Sequence, residues 1–246
     1  LIVIDRKPVK TIPQSAHIDE LYPLPRNETD YTISRPIKLI GWETFFYTGD
    51  QVIRHIERLP WKPTRAQAIK KAEQWILEHQ EADGSWGGIQ PPWVYSLMAL
   101  HELGYSQDHP VMRKGIEGFR SFSIEEDGKL KVQACVSPLW DTCLTMIALL
   151  DAGLDPEHPA LTSAGDWLVD EQILTGGDWQ VKAKNVAPGG WAFEFHNDTY
   201  PDLDDSSEIV MALDRVRLSP RKGKDKAIDR AVQWLLGMQS SNGGWA

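Results

Sequence analysis

Asp202, Asp204 and Asp205 fall within four residues of one another, and carboxylates set this closely can do acid chemistry. Like charges raise one another's pKa, so one member of such a group can keep, near neutral pH, a proton that an isolated aspartate has lost. A plainer role fits the same residues. Asp205 with Glu208 three positions on is a capping-box-like helix start, and acid in a first turn suits the helix dipole. Both readings put the cluster at a helix entrance, because Ile209, Ala212, Leu213 and Val216 follow on one helical face.

The elements that must position this cluster are helices. After Pro63 the chain reads as a series of short ones: Ile69, Ala72, Trp75 and Ile76 mark a first apolar face, and Val94, Leu97 and Met98 a second, with Gly104 just past its end. Met112, Ile116 and Phe119 follow. Then come Leu144, Ile147, Ala148 and Leu150 before Gly153, and Leu161, Ala164, Trp167 and Leu168. Ile228, Ala231, Val232, Leu235 and Leu236 mark the last face. Only Trp191, Phe193 and Phe195 alternate as a strand would. The expected class is all-α, built from helix pairs.

An internal repeat supports this. Lys70–Trp86, Ser163–Trp179 and Arg230–Trp245 each carry a helical Trp (Trp75, Trp167, Trp234) and a Gln five residues later (Gln80, Gln172, Gln239). Each closes with a Gly two residues before a second Trp. The Gln can cap backbone groups while an indole covers it, which ties one helix to the next. Helix hairpins repeated in this way suit an α/α toroid.

The first 35 or so residues are rich in proline (Pro8, Pro13, Pro23, Pro25) and read as an extended connector. From Ile37 to Leu59 aromatic and aliphatic residues crowd the first half, and Arg54, His55 and Arg58 stand in the second. That pattern suits a helix lying in a membrane surface, or one whose aromatics pack on the protein body. The whole chain has 246 residues, enough for a real core, with 26 basic and 35 acidic residues and a net charge of −9. With no basic block, nucleic acid is not an expected partner. Cys135 and Cys143 are the only cysteines. They form no disulfide framework and have no metal-ligand spacing, which indicates a reducing compartment. No apolar run is long enough to span a bilayer and no signal-peptide pattern is present. Both ends read as cuts through a longer protein.

The repeat, the Asp202-Leu203-Asp204-Asp205 motif and the stretches Ser85–Trp93 and Ser137–Thr142 together resemble the squalene–hopene cyclases, a family of triterpene cyclases. The likeness is specific from about residue 60 onward and looser before it. It implies an all-α fold with parts of two α/α barrels. Residues 1–125 would belong to one, including a membrane-contacting segment at about 37–59, and residues 126–246 to the catalytic one, with the Glu125–Gly128 turn as the seam. It implies that Asp204 is the general acid that protonates a terminal double bond of squalene, with Asp202 and Asp205 tuning it. Trp140, Asp141 and Phe193 would line the cavity, and Gln90, Pro91 and Tyr95 its far end, where the last cation is quenched to hopene or a hopanol (diplopterol). For Trp140, Asp141 and Phe193 ordinary core or helix-start packing is the alternative.

The chemistry agrees with the residues. An alkene is a poor base, so protonating it needs a strong, unhydrated acid, and aromatic faces suit the migrating cation. The resemblance further implies no metal and no cofactor. It implies peripheral (monotopic) attachment on the cytoplasmic side of a membrane, and it is compatible with a homodimer. The histidine that pairs with the acid, and several cavity aromatics, would lie outside this chain, so residues 1–246 alone are expected to be inactive. Two other classes compete. An α/α-toroid glycoside hydrolase would set its two carboxyl groups ~5–9.5 Å apart, which three aspartates in four residues suit poorly. A non-catalytic helical-repeat binding module would use the tryptophans for structure only. A magnesium-dependent terpene synthase is disfavoured by the motif spacing and by the lack of a basic phosphate clamp.

Overall fold

The computed structural model describes residues 1–7, 11–25, 28–59, 62–219 and 223–245, so Pro8 lies outside the described residues. The chain forms two compact units, Leu1–Ile76 and Leu77–Ala246.

The first unit opens on a short helix, α1 (Ile2–Arg6), whose Ile2 is buried. Asp5 of this helix pairs with Arg65 at 3.3 Å. The proline-rich stretch that follows is largely irregular, broken by 3₁₀ turns at Gln14–Ala16 and Asp19–Leu21. The expected connector is therefore not extended throughout: an apolar IVIDR start with an acid to pair is enough to order its first turn. The segment read as amphipathic forms α2 (Trp42–Arg58), which buries none of its residues. Asp50 and Arg54 pair along it at 2.6 Å, four residues apart. Glu57 accepts from Lys62 and Arg65, the latter at the start of α3 (Arg65–Glu78).

The second unit continues with α4 (Gln90–Glu102) and α5 (Pro110–Ser121), which pack on each other. A two-stranded hairpin follows, β1 (Ser123–Glu126) and β2 (Lys129–Val132), paired from Ser123↔Val132 to Glu126↔Lys129. Its tip, Asp127-Gly128, has positive φ at both residues (51° and 68°), as a two-residue turn matched to strand twist requires. The turn is legible in sequence and the strands are not, because they are mostly exposed and leave no buried alternation. Then come α6 (Pro138–Asp151), α7 (Pro159–Asp170), a 3₁₀ turn at Asp178–Val181, α8 (Leu203–Arg215) and α9 (Lys224–Gly237). Pro110, Pro138 and Pro159 each occupy a first helical position, where the missing N–H costs nothing.

The core gathers α6, α7, α8 and α9 around Trp191. All four apolar residues expected on α8 are fully buried. On three other helices the expected face is displaced. α4 buries Trp93, Ser96, Ala99 and Leu100 and leaves Met98 exposed. α6 buries Leu139, Cys143 and Met146, with Leu144 and Ala148 exposed. α9 buries Ala227, Ala231 and Trp234, with Val232 and Leu236 outward. α4 and α6 are apolar nearly all round, so periodicity alone does not select their inner side.

The repeat works as expected. Gln80 donates to Gly84 O and to Val111 O on α5 (3.2 and 2.9 Å). Gln172 donates to Gly189 O and to Ala227 O on α9 (2.7 and 2.8 Å). Gln239 donates to Gly243 O. The closing Trp179 of the second copy meets Trp234 of the third edge-on, ring centres 6.0 Å apart.

Candidate active site

The three aspartates sit at the entrance of α8 with three different surroundings. Asp202 is the N-cap: its carboxylate accepts the Asp205 N–H at 2.8 Å, and its own N–H donates to Trp191 O at 3.0 Å. The cap is thus one turn earlier than the sequence reading put it. Asp205, the residue expected to cap, is turned inward instead and is only 2% exposed. Asp204 stands on the exposed side of the first turn. Ser206, fully buried, fastens the site to the preceding segment: it donates to Asp202 O (2.6 Å) and accepts from Trp191 N–H (2.9 Å).

This geometry keeps a proton in the cluster. Burial first, and then the neighbouring Asp202 carboxylate, push Asp205 up to about 8. Asp202 is raised as well, mainly by burial, with the Asp205 N–H pulling the other way. The two carboxyl groups lie within hydrogen-bonding reach of each other, while Asp205 Oδ1 has no partner. Crowding, the cause expected from sequence, is the lesser contribution. Burial leads because α6 packs over this face: the thiol of Cys143 is itself pushed up to about 12 by burial, then by Asp205 and Glu208.

The remaining predicted residues are distributed more widely. Trp140 lies half-buried in the first turn of α6, and Cys143 donates to its carbonyl. Asp141 is exposed and accepts from Ser137 Oγ at 3.0 Å, the helix-start arrangement that was the alternative to a cavity role. Phe193 is half-buried in the bend between Trp191 and Asn197. That segment is not a strand. It makes one isolated bridge, Trp191↔Asp202, and buries Trp191, Ala192 and Glu194 while Phe195 is exposed. Gln90, Pro91 and Tyr95 sit together at the start of α4. Gln90 bonds backbone to backbone with Ala134 (3.1 Å), and its side chain donates to Gln133 O. Tyr95 is 62% exposed. Among the described residues no group of three His, Cys, Asp or Glu side chains could hold a metal ion.

Sequence reasoning missed a second pair of acids, the buried Glu194 and the half-buried Glu81. Both are raised by burial first, Glu194 to about 8, and their carboxyl groups lie within hydrogen-bonding reach. The signal available was a glutamate inside the aromatic run 191–195 with no basic residue beside it in sequence.

Two family models match the chain: the squalene-hopene cyclase N-terminal domain over residues 1–128 and the squalene-hopene cyclase C-terminal domain over residues 136–246. Dammaradiene synthase of the fern Dryopteris crassirhizoma is 44% identical over 246 residues, covering all of this chain and 36% of the relative. The squalene–hopene cyclase of Alicyclobacillus acidocaldarius is 44% identical over 245 residues, 99% of this chain and 38% of its own length. That of Bradyrhizobium diazoefficiens is 39% identical over 251 residues, with all of this chain and 38% of the relative covered. The chain thus spans a little over a third of the length of these relatives. Its mostly helical architecture accords with the α/α toroid of those enzymes. On the matches and the fold together, the chain belongs to the squalene-hopene cyclase family.

Proposed function

We propose that the protein carrying this chain catalyses the protonation-initiated polycyclisation of squalene to hopene, hopanol or both, with Asp204 as the general acid. The observation that carries the reading is a proton-holding pair, buried Asp205 with half-buried Asp202, directly beside an outward Asp204, in a chain of this family. Asp204 gives its proton to one carbon of a terminal C=C, and the new cation at the other carbon is attacked by the next double bond. Asp205, held in its neutral form by burial, adds no negative charge beside Asp204. Trp140 and Phe193 offer ring faces to the travelling cation, and the start of α4, with Gln90, Pro91 and Tyr95, is where it is quenched by proton loss or water.

Two further readings belong to the same proposal. The chain contributes to two barrels divided near residue 125, a division supported by the family models that end at 128 and begin at 136. The outward aromatics of α2 rest in a membrane surface on the cytoplasmic side, where a hydrocarbon substrate resides. Among the described residues no helix is long and apolar enough to cross a membrane.

The test is to incubate the full-length gene product with squalene, beside squalene epoxide, and to follow polycyclic products by gas chromatography. Asp204→Asn is expected to lower turnover by about 100-fold or more. Residues 1–246 alone are expected to match that variant, since an exposed Asp204 is hydrated. Undiminished product from Asp204→Asn would sink the assignment.

A further inference from the structure

Glu81 and Glu194 are brought together from distant parts of the second unit by a close-packed arrangement. Glu81 accepts from Ser85 Oγ at 2.5 Å and from the Gly87 N–H at 3.0 Å to each carboxylate oxygen. Ser85 is fully buried. Glu194 is 5% exposed, takes the His196 backbone N–H, and has an Oε1 with no partner. The neighbouring Gly88 has φ +63°, and a Cβ there would collide with the Glu194 side chain, so the 85–88 turn and the 191–197 segment are in direct contact. The same segment is tied to the α8 entrance three residues earlier, through Trp191 to Asp202 and Ser206.

Two carboxylates are acceptors only, so a hydrogen bond between them requires a proton on one. Glu81 already has Ser85 and Gly87 donors to hold its charge. Glu194 has fewer, and the proton resides there. We propose that Glu81 and Glu194 form a proton-dependent clasp that pins segment 191–197 to the 85–88 turn, with Glu194 as a positioning residue and Glu81 as its acceptor. The clasp is a property of the fold beyond the cyclisation reading and does not depend on it. The charges that bear most on the pair are its own and that of Asp83, which faces both members. Burial pushes Glu194 up to about 8, so the clasp is closed at neutral pH and opens when both members ionise. The sign follows from linkage. The folded state holds a proton that the unfolded chain releases near pH ~4.5, so the clasp's stability falls as pH rises from there to about 8.

Hydrogen exchange of the full-length gene product, read by mass spectrometry from about pH 6 to about 9.5 and corrected for intrinsic rates, tests this. Peptides covering 85–88 and 191–197 are expected to lose about tenfold or more protection across pH ~8 beyond whatever peptides from α9 lose through the fall in global stability. Glu194→Gln should abolish the pH step and keep protection high, because its amide donates to Glu81 at every pH. Asp205→Asn should leave the step in place, although Asp205 titrates in the same range. The proposal is overturned if Glu194→Gln retains the wild-type profile, if Asp205→Asn removes the step, or if 85–88 and 191–197 lose no more protection than α9 does.

Discussion

Helices α2 and α8 pose the same problem in sequence, each with an apolar face at helical spacing and a charged opposite side, and the chain treats them oppositely. α8 buries Ile209, Ala212, Leu213 and Val216 completely under α6, α7 and α9. α2 buries nothing. Trp42, Phe45 and Phe46 meet one another, with ring centres 5.4–6.1 Å apart, and remain exposed, as are Val52, Ile53 and Ile56. Periodicity therefore states that a face wants covering and not what covers it. For α8 the cover is the rest of this unit, and for α2 it is not found among the described residues.

The largest effect that separates the two helices is the loss of core. Leu213→Ala or Ile209→Ala is expected to cost about 2–5 kcal/mol of stability in urea unfolding of the full-length gene product, since each leaves a void in a fully covered site. Val52→Ala on α2 should cost under ~0.5 kcal/mol. A comparable loss from both would mean that α2 is covered after all. Next comes the buried polar tie. Ser206→Ala orphans the Trp191 N–H and should cost about 1–3 kcal/mol, whereas Thr44→Ala, which frees only an exposed bond to Lys38 O, should be near neutral.

The pH dependence is smaller per unit, and it separates a buried acid from an exposed one. Asp205 is pushed up to about 8 in the folded state. The folded protein then retains a proton that the unfolded chain loses near pH ~3.9, and stability declines by about 1.4 kcal/mol per pH unit between the two values. Asp205→Asn should flatten that part of the profile and raise stability at pH 7, with the slope from Glu194 remaining. An unchanged slope in Asp205→Asn would mean that the carboxyl is not protonated in the fold.

Much of this was legible in sequence, for reasons that differ residue by residue. The α8 face was readable because Ile209, Ala212, Leu213 and Val216 recur at helical spacing, while Asp204, Glu208, Asp214 and Arg215 fall off that stripe. The repeat was readable because Gln, Gly and Trp each have a job that few other residues do. The α4 and α6 faces were not, since apolar residues on every side leave the choice to their partners. The aspartate cluster stands at a helix entrance, as the sequence indicates, but the cap falls on Asp202 and not on Asp205. Which of three adjacent acids caps, which is buried and which faces out depends on one turn of helix phase, and α6 sets that phase. Glu194 stands out as a glutamate inside the aromatic run 191–195, but its meeting with Glu81 is a property of the tertiary fold that no sequence neighbour announces.

The smallest expected effect on stability is the most informative about α2. Replacing Phe45 and Phe46 by Ala removes rings that are 65% and 63% exposed, so unfolding should shift by less than ~0.5 kcal/mol. If those rings rest in a bilayer surface, each loses its contact with acyl chains there, about 1.5–3 kcal/mol per ring, and affinity for phosphatidylcholine vesicles should fall by about tenfold or more per ring. Vesicle flotation of the full-length gene product and the double variant measures this directly. A large fall in binding with unchanged unfolding would make lipid the cover that α8 obtains from protein. A loss of stability without a change in flotation would instead assign that face to protein, and the two helices would then differ only in which part of the polypeptide covers them.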